Sequence, residues 1–255
     1  EDAAPTAFTF KYLNDVPFTP IHKKENQELL FKWGLQDDMK LVPFRYDQNF
    51  LPRDAQTFLD DFFSDKEVRK YLQYLTGMYF GGERTTASFS RLTATKTTLK
   101  FLKEPLQTAG IVGPSGHIRG RLHEDWEGIP IVDQLRECLL MEESELWDAF
   151  SEDSRKELLF KILTHLVIGG AQNQYEDYAE DYYRLSKEFY REFVSVRKND
   201  LGEPEVAGSL VFKVEEFKKP CHLFPREHES NFCYVIADPL SRILWVWYFG
   251  YKPFW

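Results

Sequence analysis

Between Trp147 and Lys198 the spacing of apolar positions changes twice. Leu158, Leu159, Ile162, Leu163, Leu166 and Val167 recur at four-residue steps, and Phe160 and Ile168 widen the stripe until little polar face is left. Such a stripe predicts a helix buried in a core. Ser154, with Glu157 three residues on, has capping-box spacing and marks the helix start, and Gly169 marks its end. Beyond Gly169-Gly170, Tyr175, Tyr178, Tyr182, Leu185, Phe189 and Phe193 follow at three- and four-residue steps, the buried seam of a second, amphipathic helix. From Phe193 to Arg197 the alternation becomes that of a strand.

The rest of the chain reads as elements packed around this hairpin. Phe8 to Leu13 is a short strand, Lys24 to Trp33 a helix closed by Gly34, and Met39 to Tyr46 a strand that Pro43 assigns to a sheet edge. Asp54 to Phe63 and Glu67 to Leu75 are helices, the second introduced by Ser64 and Glu67 at capping-box spacing. Thr85 to Thr98 reads as a pair of Thr-rich strands with one solvated face. The sharper alternative is a phosphorylatable or acid-binding patch, because Arg84, Arg91, Lys96, Lys100 and Lys103 cluster there. Gly110 to Gly128 is a long loop and a possible subdomain boundary, and Ile131 to Met141, preceded by Pro130, is helical. Asn199 to Gly202 is a turn, Val206 to Val214 alternates, and Phe232 to Ala237 with Ile243 to Phe249 completes an antiparallel meander. The last strand is apolar on both faces, so it is central in a sheet or covered by a partner. The expected fold class is α+β, antiparallel sheet elements against a central helical hairpin, in one interlocked unit over residues 1–255.

Composition narrows the function classes. Aromatic residues are 16 % of the chain, more than a disordered sequence carries. The net charge of -9 argues against general nucleic-acid binding, which needs clustered Lys and Arg. The three cysteines, Cys138, Cys221 and Cys233, are too few and too widely spaced for a disulfide framework, which favours a reducing compartment, the cytoplasm by default. The longest apolar run, Ile243 to Tyr251, is about half the ~20 residues that span a bilayer, so no membrane partner is expected. The chain starts at Glu1 and shows no basic start followed by an apolar core, so secretion is not expected.

Candidate chemistry is sparse. Cys221, His222, His228 and Cys233 offer zinc-type ligands, but the adjacent Cys-His pair strains a tetrahedral site and no Cys-x-x-Cys is present. His123 and Asp125 with His222 or His228 could compose the two-His, one-carboxylate set of an iron oxygenase, the alternative function reading. The glycine-rich run from Gly110 to Gly120 lacks the Gly-Lys-Ser/Thr ending of a phosphate loop. His165 lies inside the apolar helix, where a hydrogen-bonded core role is expected. No catalytic residue, metal or cofactor is assigned. On the acidic helix, Glu176, Asp177, Glu180 and Asp181 precede Arg184, Lys187 and Arg191, the order that the helix dipole favours. Tyr175, Tyr178, Tyr182 and Tyr183 exceed what one buried seam needs, and tyrosine is enriched in interface anchors.

The run from Leu139 to Lys198 resembles the cilia- and flagella-associated protein 300 family, chiefly through GGAQNQYED (Gly169 to Asp177) and FVSVRKN (Phe193 to Asn199). SGHI (Ser115 to Ile118), VFKV (Val211 to Val214) and FCYVIADPLSRILWVWY (Phe232 to Tyr248) extend it, and FRYDQNF (Phe44 to Phe50) agrees in layout. The resemblance implies a non-enzymatic protein of cytoplasm and cilium that supports assembly or intraflagellar-transport-dependent delivery of axonemal dynein arms. The partners it implies are dynein-arm assembly factors, axonemal dynein subunits and the transport machinery. It brings no catalytic residues. The surface expected to bind a partner is Gln174, Tyr175, Glu176, Asp177, Tyr178, Tyr182 and Tyr183.

Overall fold

The computed structural model of the chain describes residues 8–253; residues 1–7 and 254–255, which the single-unit expectation takes in, lie outside the described residues. In chain order, β1 (Phe10–Tyr12) leads through α1 (Thr19–His22) and α2 (Lys24–Lys32) to β2 (Met39–Tyr46). Then come α3 (Ala55–Ser64), α4 (Lys66–Thr76), β3 (Ala87–Leu92) and α5 (Lys100–Thr108). A hairpin of β4 (Gly120–Trp126) and β5 (Ile129–Asp133) precedes α6 (Gln134–Leu140), α7 (Glu152–Arg155), α8 (Leu158–Ile168) and α9 (Glu180–Phe193). A second hairpin, β6 (Val196–Lys198) and β7 (Pro204–Val206), leads to β8 (Leu210–Phe217), β9 (Phe232–Asp238) and β10 (Ile243–Phe249).

The fold class is α+β, as expected. Six strands form one antiparallel sheet in the order β1-β2-β10-β9-β8-β3. The period of two decides which side each residue of β10 serves. Trp245, Trp247 and Phe249 join a core with α2, α5, α6, α8 and α9, whereas Leu244, Val246 and Tyr248 join a core with α3 and α4. The sheet is therefore covered by helices on both faces. That explains why its two central strands lack a polar face.

Several local expectations are corrected by longer-range bonds. Pro43 lies on β2, which is second in the sheet rather than at its edge. Its carbonyl accepts the Leu13 amide at 3.1 Å, one step past the last β1 register pair, Tyr12 with Phe44. A strand residue turns its nitrogen and carbonyl to the same side, so the missing N–H faces the point where β1 ends and the ladder to β10 loses nothing. The Ser64 capping box does not form. Asp65, in extended conformation, takes the Glu67 and Val68 amides at 2.8 and 3.0 Å, and Ser64 instead accepts the Thr85 amide.

The Ser154–Glu157 box fails for a similar reason. The Leu158 amide donates to the Thr93 carbonyl at 2.8 Å, which draws the chain out of helix at Glu157 and separates α7 from α8. Ser151 caps α7, while the Glu157 carboxylate accepts the Thr95 amide and hydroxyl at 3.1 and 2.6 Å. Of the two Thr-rich strands expected here one strand forms, β3, whose residues ASFSRL include serine but no threonine; Thr93 and Thr95 lie beyond it, bonded to the 156–158 segment. After Thr95, α5 forms despite Pro105, because Leu102 and Leu106 are fully buried. The glycine-rich segment is a loop to about Arg119 and then enters β4, and Pro130 and Ile131 belong to β5. Helix α6 starts later than expected, where Asp133 accepts the Arg136 amide at 2.8 Å.

Candidate functional site

The corner between α8 and α9, residues 169–179, is built on a close approach of two backbones. Gly170 donates its amide to the Trp33 carbonyl at 2.9 Å, and a Cβ on Gly170 would lie 2.1 Å from the Gly34 carbonyl oxygen. A Cβ on Gly34 would in turn meet the Ala171 carbonyl at 2.3 Å. No side chain fits between these strands of backbone, which is why both turns carry glycine. Asn173 then closes α8 by donating its side-chain amide to the Val167 and Ile168 carbonyls at 2.9 and 2.8 Å.

Two charged side chains hold the corner against the core. Glu176 accepts the Trp33 indole N–H at 2.9 Å and the Lys32 ammonium at 2.8 Å, so the α8–α9 corner is tied to the end of α2. Arg136 is fully buried; it pairs with Asp133 and donates to the Val167 carbonyl at 2.7 Å and the Tyr182 hydroxyl at 3.2 Å. The Tyr175 ring lies 4.2 Å from its guanidinium carbon, a cation–π contact in a desolvated place. Burial raises the Tyr175 and Tyr182 phenols above the ordinary tyrosine range, and the Arg136 charge partly offsets the effect.

The expected binding residues thus divide. Tyr182 and Tyr183 lie in α9 and face inward, at 0 % and 3 % exposure. Tyr175, Glu176 and Tyr178 precede that helix instead of belonging to it. Gln174, Asp177 and Tyr178 are exposed. The SGHI segment lies directly against this exposed part. Ile118 donates its amide to the Asp177 carbonyl at 2.8 Å, Ala179 to that of Gly116 at 2.9 Å, and the His117 ring meets Tyr178 edge-on at 5.5 Å. Neither Arg136 nor Asp133 is marked as a site residue by the sequence pattern, and Trp33 and His117 enter there only as a helix end and as part of SGHI. The one available signal was Arg136 itself, a cation between Leu135 and Leu139 and three residues from an acid.

Behind the corner lies a cavity of about 220 Å³, lined by Gly170, Gln172, Asn173, Tyr175, His228 and Tyr251 among others. This is below the roughly 300–1,000 Å³ of small-molecule sites. His228 stacks on Tyr251 at 3.6 Å and accepts the Ser230 amide on Nδ1, and burial lowers its pKa.

The candidate metal ligands are dispersed. Cys233 sits within β9, where burial drives its thiol far up; Cys221 donates to the Gly81 carbonyl; His222 is exposed beside Tyr79. His123 is exposed on β4, and Asp125 accepts the Gly128 amide at 3.1 Å. Among the described residues, no group of three or more His, Cys, Asp and Glu side chains is placed to hold a metal. His165 Nε2 lies 2.6 Å from the Tyr234 hydroxyl, the core role expected of it.

Residues 7–249 match the family described as cilia- and flagella-associated protein 300. A relative of that name from Chlamydomonas reinhardtii is 34 % identical over 234 residues, covering 89 % of this chain and 91 % of that protein. Another of that name, from Paramecium tetraurelia, is 31 % identical over 229 residues, covering 89 % of this chain and 87 % of that protein. No solved structure matches the chain.

Proposed function

The chain belongs to the cilia- and flagella-associated protein 300 family, and from that premise we propose that it is a non-enzymatic factor supporting assembly or intraflagellar-transport-dependent delivery of axonemal dynein arms. It works in cytoplasm and cilium by binding proteins, with dynein-arm assembly factors, dynein subunits and the transport machinery as partner classes. The observation that carries this reading is the family match across nearly the whole chain. The exposed edge of Gln174, Asp177 and Tyr178 supports a role in binding, because it is an acidic, aromatic surface on a rigidly tied corner.

The test is removal of the protein from a ciliated cell, followed by electron microscopy of axonemes. Missing dynein arms are expected; a full complement of arms overturns the reading. Asp177→Lys with Tyr178→Ala, returned to such cells, should reduce recovery of the bound assembly factors while the protein stays folded.

A further inference from the structure

The cations of α9 are paired unevenly along its length. Arg184 is held by Glu25, Asp181 and Glu188 at 3.5, 3.4 and 3.3 Å, and Lys23 also reaches Glu188. Farther along the same helix, Lys187 and Arg191 are exposed and form no ion pair among the described residues. Both line a groove of about 490 Å³ between α9 and the 96–99 segment. The third cation of this groove is Lys96. The groove holds Leu159 of α8, 2 % exposed, and Val194, 5 % exposed, while Val196 stands 51 % exposed at its end. No carboxylate is among its lining residues. The neighbouring acid, Glu157, is 4 % exposed, bonded to Thr95 and 3.8 Å from Lys96.

We propose that this groove docks a short segment of a partner protein in which carboxylates flank an aliphatic or aromatic side chain. The proposal rests on the reading that the chain acts by protein binding, and names a surface away from the α8–α9 corner. Charge complementarity selects the occupant. On a protein with 41 acids against 32 Lys and Arg, a concavity lined by Lys187 and Arg191 without ion pairs among the described residues, by Lys96 balanced from beneath by Glu157, and by no carboxylate is a local reversal of sign. The apolar floor supplies what cations alone do not, a place for an anchor side chain to leave water. A bilayer cannot follow a concave surface of this size, and the net charge of -9 repels a polyanionic nucleic acid.

The experiment measures fluorescence anisotropy of an end-blocked, labelled decapeptide, EDELFDLEED, with the full chain. Two control peptides are QNQLFNLQQN, which lacks the charge, and EDEGSDGEED, which lacks the anchors. The expected results are binding of the first peptide and affinity lower by about tenfold for each control and for the Lys187→Glu, Arg191→Glu protein. If that variant melts early, Lys187→Gln with Arg191→Gln and a salt series from about 50 to about 300 mM carry the same comparison, and affinity should fall with salt. No binding of the first peptide, affinity within about twofold for the charge variant or for the anchor-free control, or displacement by vesicles of phosphatidylserine in phosphatidylcholine overturns the proposal. In ciliated cells, arms lost on removal but restored by the charge variant sink the groove and leave the dynein-arm reading standing. Arms retained on removal sink that reading, and the peptide comparison still decides the groove.

Discussion

Glu176 and Asp177 are neighbours in sequence and do different work. Glu176 holds an indole N–H and an ammonium at the end of α2, with its side chain 14 % exposed, whereas Asp177 offers its carbonyl to Ile118 and leaves its carboxylate to solvent. Glu176→Gln should therefore lower unfolding free energy by about 1–3 kcal/mol in urea titration, and Asp177→Lys should change it by less than about 0.5 kcal/mol. Equal effects would contradict the division. At His165, burial holds the imidazole well below its ordinary pKa of 6.5, and Lys161 and Lys213 push the same way. The unfolded chain takes up a proton below about pH 6.5 that the folded chain refuses, so stability falls on acidification by up to about 1.4 kcal/mol per pH unit. Urea midpoints measured at several pH values between about 7.5 and 5 should fall, and His165→Gln should flatten that fall. The core role of His165 was legible, since a histidine inside an apolar stripe needs a partner there. The tie from Glu176 to Trp33 was not, because nothing in local spacing joins residues on separate elements.

Elements were legible where their period was strong, and their ends were not. Strands β9 and β10 and helices α2, α3 and α4 lie where alternation and four-residue steps put them, whereas the expected strand Val206 to Val214 divides: Val206 closes β7, Gly208 turns the chain at positive φ, and β8 starts at Leu210. Both capping boxes failed, at Ser64 and at Ser154, because distant Thr85, Thr93 and Thr95 claim the groups that local chemistry assigned to caps. The glycine turns show the converse case, in which sequence marks the turn without revealing its reason. Gly169-Gly170 read as the end of a helix; the structure adds that Gly34, the end of another, is packed against it. Gly170→Ala should cost about 1–3 kcal/mol in thermal or urea denaturation, because the added methyl meets backbone that has no rotamer with which to yield. Gly120→Ala, where a Cβ meets nothing within 4 Å, is the control and should cost less.

At the scale of the whole molecule, several segments that carry the family resemblance meet at junctions, while VFKV lies within β8. SGHI meets GGAQNQYED at the corner. FRYDQNF, FVSVRKN and the ADPLSR turn meet at Asp238: its carbonyl accepts the Tyr46 hydroxyl at 2.9 Å, and its carboxylate accepts Ser195 and Ser241 at 2.6 and 2.7 Å. The family was legible in those contiguous runs of residues, whereas the α9 groove depends on which cations lack partners, which only the fold decides. Because one sheet serves both helical layers, unfolding followed by tryptophan fluorescence on the Trp33–Trp247 side should coincide with loss of helical circular dichroism in a single transition. Two separate transitions would divide the chain into independent units.

The order of strands in the sheet differs from the order in which a ribosome delivers them. β2 precedes β10 by almost two hundred residues of synthesis, yet its long partner is β10, and both cores take a wall from β9 and β10. Until those strands emerge, β2 presents an open edge and the helices have nothing to close upon, a state in which hydrophobic surface is exposed to every neighbour. A message that terminates just before Phe232 would thus yield a chain with the segments of all the described helices and neither of its cores closed. Its fate belongs to the chaperones and proteases that handle nascent proteins.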